Sequence, residues 1–88
     1  MKSPNKRAMT SAERAHVGKV KSLPCSVCGA TGPSDAHHIR QSQHFTVVAL
    51  CRECHSNWHG TKALWRVRKM DELTALSVTI KGLACGTD

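Results

Sequence analysis

Five cysteines and six histidines in 88 residues are the side chains best suited to chemistry. Four of the cysteines form two pairs, Cys25-x-x-Cys28 and Cys51-x-x-Cys54, with 22 residues between the pairs. Thiolates at this spacing in a tight turn take adjacent corners of a tetrahedron, so two such pairs can close a structural zinc site. The linking segment is slightly longer than the usual length of about 15–20 residues, which predicts a hairpin inserted between the pairs. Cys85 has no partner left and reads as a bland terminal or partly buried thiol. Among the histidines, His37 and His38 are adjacent, while His55 and His59 are four apart. Neighbours in a strand point to opposite faces and residues i and i+4 of a helix share one, so only one of His37 and His38 can join the helical pair around a common ion. If His37 joins it, three imidazoles hold an ion with open positions and His38 keeps a free ring nitrogen. That is the division a metal-assisted hydrolase needs: an ion for the scissile group and a base for the water. The plainer reading places these histidines on the surface or in the core of a zinc-stabilised module that only binds nucleic acid.

Apolar period, capping residues and turn residues predict the helices and strands that carry these side chains. Residues 1–9 are basic and lack an apolar period, so a flexible arm is expected there. Residues 10–88 are expected to form a single domain with its core at 25–59 and C-terminal helices over 61–82. Thr10 and Glu13 have capping-box spacing before a helix over 11–22, with a loose stripe of Ala12, Ala15, Val17, Val20 and Leu23 and a stop at Pro24. Residues 24–35 read as knuckle and turn, punctuated by Gly29, Gly32 and Pro33. Two short strands over 36–40 and 45–50, separated by polar residues, make a hairpin. Cys51 and Cys54 then sit at the first turn of a helix over 52–59, which Gly60 can stop. Residues 62–69 read as a further helical piece. Asp71 caps a last helix over 72–81, with Leu73, Leu76 and Ile80 on one face and Gly82 just past its end.

The ordered run Cys25-x-x-Cys28, Ala36-His37-His38-Ile39, and Leu50-Cys51-x-x-Cys54-His55-x-x-x-His59 resembles the zinc-bearing branch of the HNH (ββα-metal) endonucleases, in particular small phage and prophage proteins of the recombination-enhancement type. The likeness spans Cys25 to His59, some two fifths of the chain. It implies an α+β fold, a treble-clef-like zinc scaffold carrying a ββα-metal site, flanked by helices. It also implies that His37 is a ligand of the catalytic metal and His38 the general base. Relatives with a C-x-x-C-H-x-x-x-H helix, and the colicin nucleases with two helical histidines, imply that His55 and His59 complete that metal site. The family often has an Asn about five residues before the third cysteine that braces the hairpin and orients the base. Thr46 stands there in this chain, leaving Thr46 or His44 to take that part. The all-imidazole site, where many relatives use Asp or Asn, suits Zn or Ni better than Mg; Mn and Mg remain among the candidate catalytic ions. Some members of the family cut only with a recombination protein, which makes such a protein an expected partner.

The charge balance points to the substrate class. Thirteen Lys and Arg against six Asp and Glu give a formal charge of +7. Arg66, Arg68 and Lys69 cluster after the predicted catalytic helix, and Arg40 and Arg52 lie nearer the proposed site, so these five are the expected DNA contacts. No obvious base-reading element accompanies them, and low sequence specificity is expected. Together these features predict a metal-dependent DNA endonuclease that nicks or cuts. The alternative is a non-catalytic zinc module, or a nuclease that needs a partner.

Phe45, Trp58 and Trp65 are the only aromatic residues, too few for a strong core in a chain that buries only about 60% of its unfolded surface. Zinc is expected to supply the missing staple, and the two tryptophans to act as core anchors in preference to stacking platforms. No apolar run approaches the length of about 20 residues needed to span a membrane, and no signal-peptide pattern opens the chain. A cytoplasmic home follows as the expectation, in the bacterial host of a phage or prophage if the resemblance holds. Other matches fail on context. Cys51-x-x-Cys54-His55 spells a haem attachment motif but leaves Cys25 and Cys28 unexplained, and a deaminase would need H-x-E upstream of Cys25. A two-Cys, two-His finger needs about twelve residues between Cys28 and His37, and a thioredoxin-like site needs a βαβ pattern.

Overall fold

The computed structural model describes residues 8–85; residues 1–7 of the expected basic arm lie outside the described residues. Helix α1 (Ser11–Lys21) starts at the capping box read from the sequence: Glu13 N–H donates to Thr10 Oγ1 at 3.1 Å and Thr10 N–H to Glu13 Oε1 at 2.7 Å. Its buried residues are Val17 and Val20, with Leu23 half-buried beyond its end. Ala12 and Ala15, expected in the same stripe, are exposed.

The hairpin forms between β1 (Asp35–His38) and β2 (Val47–Leu50), both shorter than the strands expected over 36–40 and 45–50. They pair antiparallel, with Asp35 opposite Leu50 and His37 opposite Val48. Residues 39–46 are turn, where Gln43 N–H donates to the Arg40 carbonyl and Thr46 N–H to the Gln43 carbonyl. All four residues of β2 are buried, and its alternation sorts them between two clusters. Val47 and Ala49 pack with Val17 and Val20 of α1, whereas Val48 and Leu50 pack with Cys25, Cys54, Trp65 and Ala75.

Helix α2 (Arg52–His59) has the predicted bounds and stops at Gly60. Helix α3 (Ala63–Val67) is shorter than the piece expected over 62–69, because Lys62 and Lys69 take left-handed backbone conformations at its two ends. Trp65 of α3 is 1% exposed and donates its indole N–H to the Cys54 carbonyl at 3.0 Å. Trp58 packs on it with ring centroids 4.6 Å apart, so the two tryptophans form one core unit.

Helix α4 (Glu72–Cys85) departs most from expectation. It runs through Gly82, where an added Cβ would lie 3.4 Å from the Leu23 side chain; the glycine marks a helix contact and not a stop. The buried face is Ala75, Leu76, Thr79 and Leu83, while Leu73 and Ile80, expected inside, are 74% and 52% exposed. The reason is a buried polar node. The Thr79 hydroxyl lies 2.7 Å from Ser26 Oγ, accepts from Ala49 N–H at 3.2 Å and reaches the Ala75 carbonyl at 3.0 Å. A hydroxyl satisfied this way can be buried without penalty, and the small Ala75 lets α4 lie close on β2. The described residues form a small α+β unit with a two-stranded sheet. Among the described residues, no helix is long and apolar enough to cross a membrane.

Candidate metal centres

The four paired cysteines converge. Cys25 and Cys28 lie in a knuckle after α1, Cys51 is the N-cap of α2 and Cys54 is in its first turn. All are free thiols, and their sulfurs lie within 4.8 Å of one another, with Cys28 and Cys51 Sγ 3.7 Å apart. A tetrahedral zinc with Zn–S bonds of about 2.3 Å separates its sulfurs by about 3.8 Å, so the set fits such an ion. Local backbone prepares the sulfurs for charge. Val27 and Cys28 N–H point at Cys25 Sγ at 3.4 and 3.5 Å, and Cys54 N–H at Cys51 Sγ at 3.4 Å. The knuckle itself closes through Gly29, whose φ of 80° suits glycine, and Ser26 N–H ties it to the Ala49 carbonyl of β2. Burial works against ionisation of Cys25, but backbone donors from Cys28, Cys51 and Val27 outweigh it and bring the pKa to about 7. Cys54 is driven the other way, upward, by burial first and then by the facing thiols of Cys51 and Cys25. Four facing thiols cannot all ionise alone; a cation among them removes the conflict.

The second group joins β1 to α2. His37, His55 and His59 offer ring nitrogens within 4.8 Å of one another. Their ring centroids form a nearly equilateral triangle of 5.1, 5.4 and 5.1 Å for the pairs 37/55, 37/59 and 55/59. The helical pair share a face because they are one turn apart, and His37 reaches them because it lies on the Val48 side of the hairpin. The site grades from dry to wet: His37 is 4% exposed, His55 is half-buried and His59 is exposed. Three imidazole donors this close could hold a metal ion.

Strand alternation puts His38 on the other face, as expected, outside this group. Its Nε2 lies 3.0 Å from His44 Nδ1, with the two rings perpendicular at 5.0 Å. Burial, then the neighbouring His44 and His37, holds the His38 pKa below its ordinary value, so the ring is neutral at pH 7. Thr46 is turned away, donating to the Gln43 carbonyl at 3.1 Å. Of the two residues considered for the brace, the one beside His38 is His44.

Two carboxylates back the imidazole triangle that sequence reasoning did not single out. Asp35 Oδ2 sits 3.1 Å from His55 Nδ1 and 3.1 Å from Arg52 Nε, and these partners, His55 first, hold its carboxyl below the ordinary carboxylate range. Glu72 Oε2 lies 2.7 Å from His37 Nε2. Asp35 carried a local signal, since it is two before His37 and therefore on the same strand face. Glu72 carries none: in the sequence it is only the start of a helix. Arg52 thus spends its Nε on Asp35, though its side chain is 85% exposed. Arg40 in the hairpin turn, and Arg66, Arg68 and Lys69 on and after α3, are exposed.

No protein-family model matches the chain, and no curated protein or solved structure shows significant similarity to it.

Proposed function

We propose that this chain is a metal-dependent endonuclease of the HNH, ββα-metal type that hydrolyses DNA phosphodiester bonds with low sequence specificity. The observation that carries the reading is the division of the four histidines. His37, His55 and His59 form one metal-capable group, and His38 stands beside it, neutral, outside it and held by His44. The antiparallel hairpin running directly into α2, with the cysteines at the helix start, supports a treble-clef-like ββα arrangement.

The reaction is an in-line displacement. His38 takes a proton from water as the new P–O bond forms, and the P–O3′ bond breaks on the opposite side. A divalent ion held by His37, His55 and His59 would supply the Lewis acid that neutralises charge on the phosphate and on the leaving oxygen. His44 fixes the rotation of the His38 ring. Arg40, Arg52, Arg66, Arg68 and Lys69 supply positive charge for the phosphate backbone, so binding weakens steeply with salt.

Supercoiled plasmid incubated with the protein and Mg²⁺, Mn²⁺, Ni²⁺ or Zn²⁺ tests the proposal, with His38→Ala as the comparison and DNA binding measured in parallel. The expected result is nicking by the wild type that falls by about 10²–10⁴-fold in His38→Ala, with binding retained. Equal nicking by both overturns the base assignment. Binding without nicking under any ion, with or without a recombination protein, favours the non-catalytic zinc module.

A further inference from the structure

A carboxylate from the last helix meets the most buried of the three clustered imidazoles. Glu72 Oε2 lies 2.7 Å from His37 Nε2, with the Glu72 side chain 26% exposed and that of His37 5%. The placement of Glu72 does not depend on His37. Helix α4 begins there because Asp71 Oδ1 accepts from Thr74 N–H at 2.7 Å and its carbonyl from Ala75 N–H at 2.9 Å. Beyond that first turn, Ala75 and Thr79 are buried, and the Thr79 hydroxyl reaches both Ser26 and Ala49. Docking of α4 on β2 therefore delivers a carboxylate to the back of His37.

An imidazole has two ring nitrogens. A carboxylate that accepts a proton from one leaves the lone pair of the other for a metal, fixes the ring's rotation and strengthens it as a donor. His55 on α2 has a similar backing from Asp35 on β1, but that carboxylate is shared with Arg52. Glu72 comes from α4, which carries none of the three imidazoles. We infer that Glu72 is a positioning residue of the three-imidazole centre: it holds the tautomer and orientation of His37, and through it metal affinity depends on α4 being docked. This rests on the reading of His37, His55 and His59 as a metal centre; it is independent of whether DNA is cut.

The test uses the full chain with its cysteine site loaded with zinc, titrated with Co²⁺ against a competing chelator and followed by the visible spectrum and by melting temperature. Glu72→Ala is expected to weaken uptake of the second ion by about 10–100-fold and to alter its spectrum. Glu72→Gln, which keeps an accepting oxygen but no charge, is expected to fall between Ala and wild type at an unchanged melting temperature. That separates tuning of the ion from support of the fold, and it decides the matter even if Glu72→Ala does not fold. Co²⁺ affinity of Glu72→Gln within about twofold of wild type, with the same spectrum, overturns the assignment to Glu72. A wild type that takes up no second ion overturns the metal centre itself, and the inference with it.

Discussion

The two candidate centres share one helix and differ in what they need. Helix α2 carries Cys51 and Cys54 at its start and His55 and His59 along its body. The cysteine cluster is built from turns, its sulfurs face one another, and burial and mutual contact oppose the ionisation of Cys54. Without a cation those thiols conflict. The histidine cluster is built on a strand and a helix face, and His37 and His55 each have a carboxylate within 3.1 Å. Imidazoles set against carboxylates carry no such conflict. On the proposed reading the first arrangement depends on its ion for the fold, while the second stands ready for an ion with an open side.

The largest effect that can break this contrast comes from metal removal at each centre. Stripping the cysteine site, or replacing Cys54 by Ser, should abolish the cooperative melting transition, because structural zinc contributes on the order of 10 kcal/mol in small domains. His59→Ala should lose an ion and leave the transition in place, as circular dichroism can show. Next in size is Trp65→Ala, which removes the anchor beneath the second cysteine pair and should cost about 3–5 kcal/mol in denaturant unfolding. Smaller is the brace on the far side of the hairpin. If the proposed nuclease activity is present, His44→Ala should slow nicking roughly tenfold, a fraction of the contribution of about 10²–10⁴-fold proposed for His38 as base. His44→Asn, whose amide falls where Nδ1 now sits, should restore most of that rate, and His44→Gln should not.

The smallest effect is at the start of α4. Backbone N–H donation from Thr74 holds the Asp71 carboxyl below its ordinary range. A depressed folded pKa means that its contribution is full above the unfolded value and is lost as pH falls through the folded one. Asp71→Asn should therefore melt slightly lower than wild type at neutral pH and converge with it in acid.

What the sequence made legible was short in range. The bounds of α2, the capping box at Thr10 and the cysteine knuckle all rest on spacings of a few residues, and each is present in the structure. The face of α4 differs from the sequence pattern because Leu73 and Ile80 match an apolar period better than Thr79 does. Burying Thr79 becomes favourable only through Ser26 and Ala49, which are distant in sequence. Glu72 was invisible for the same reason, since it is 35 residues from His37. His44 was identified only as a candidate; the structure shows Thr46 bonded within its own turn and His44 against His38.

Metal stoichiometry with melting temperature, measured on the wild type and on His59→Ala, decides whether the two centres are separate. The expected result is about two ions per chain in the wild type and about one in the variant, at nearly the same melting temperature. A single ion in both proteins, or a variant that loses its fold along with the ion, would contradict the separation of a structural centre from a functional one.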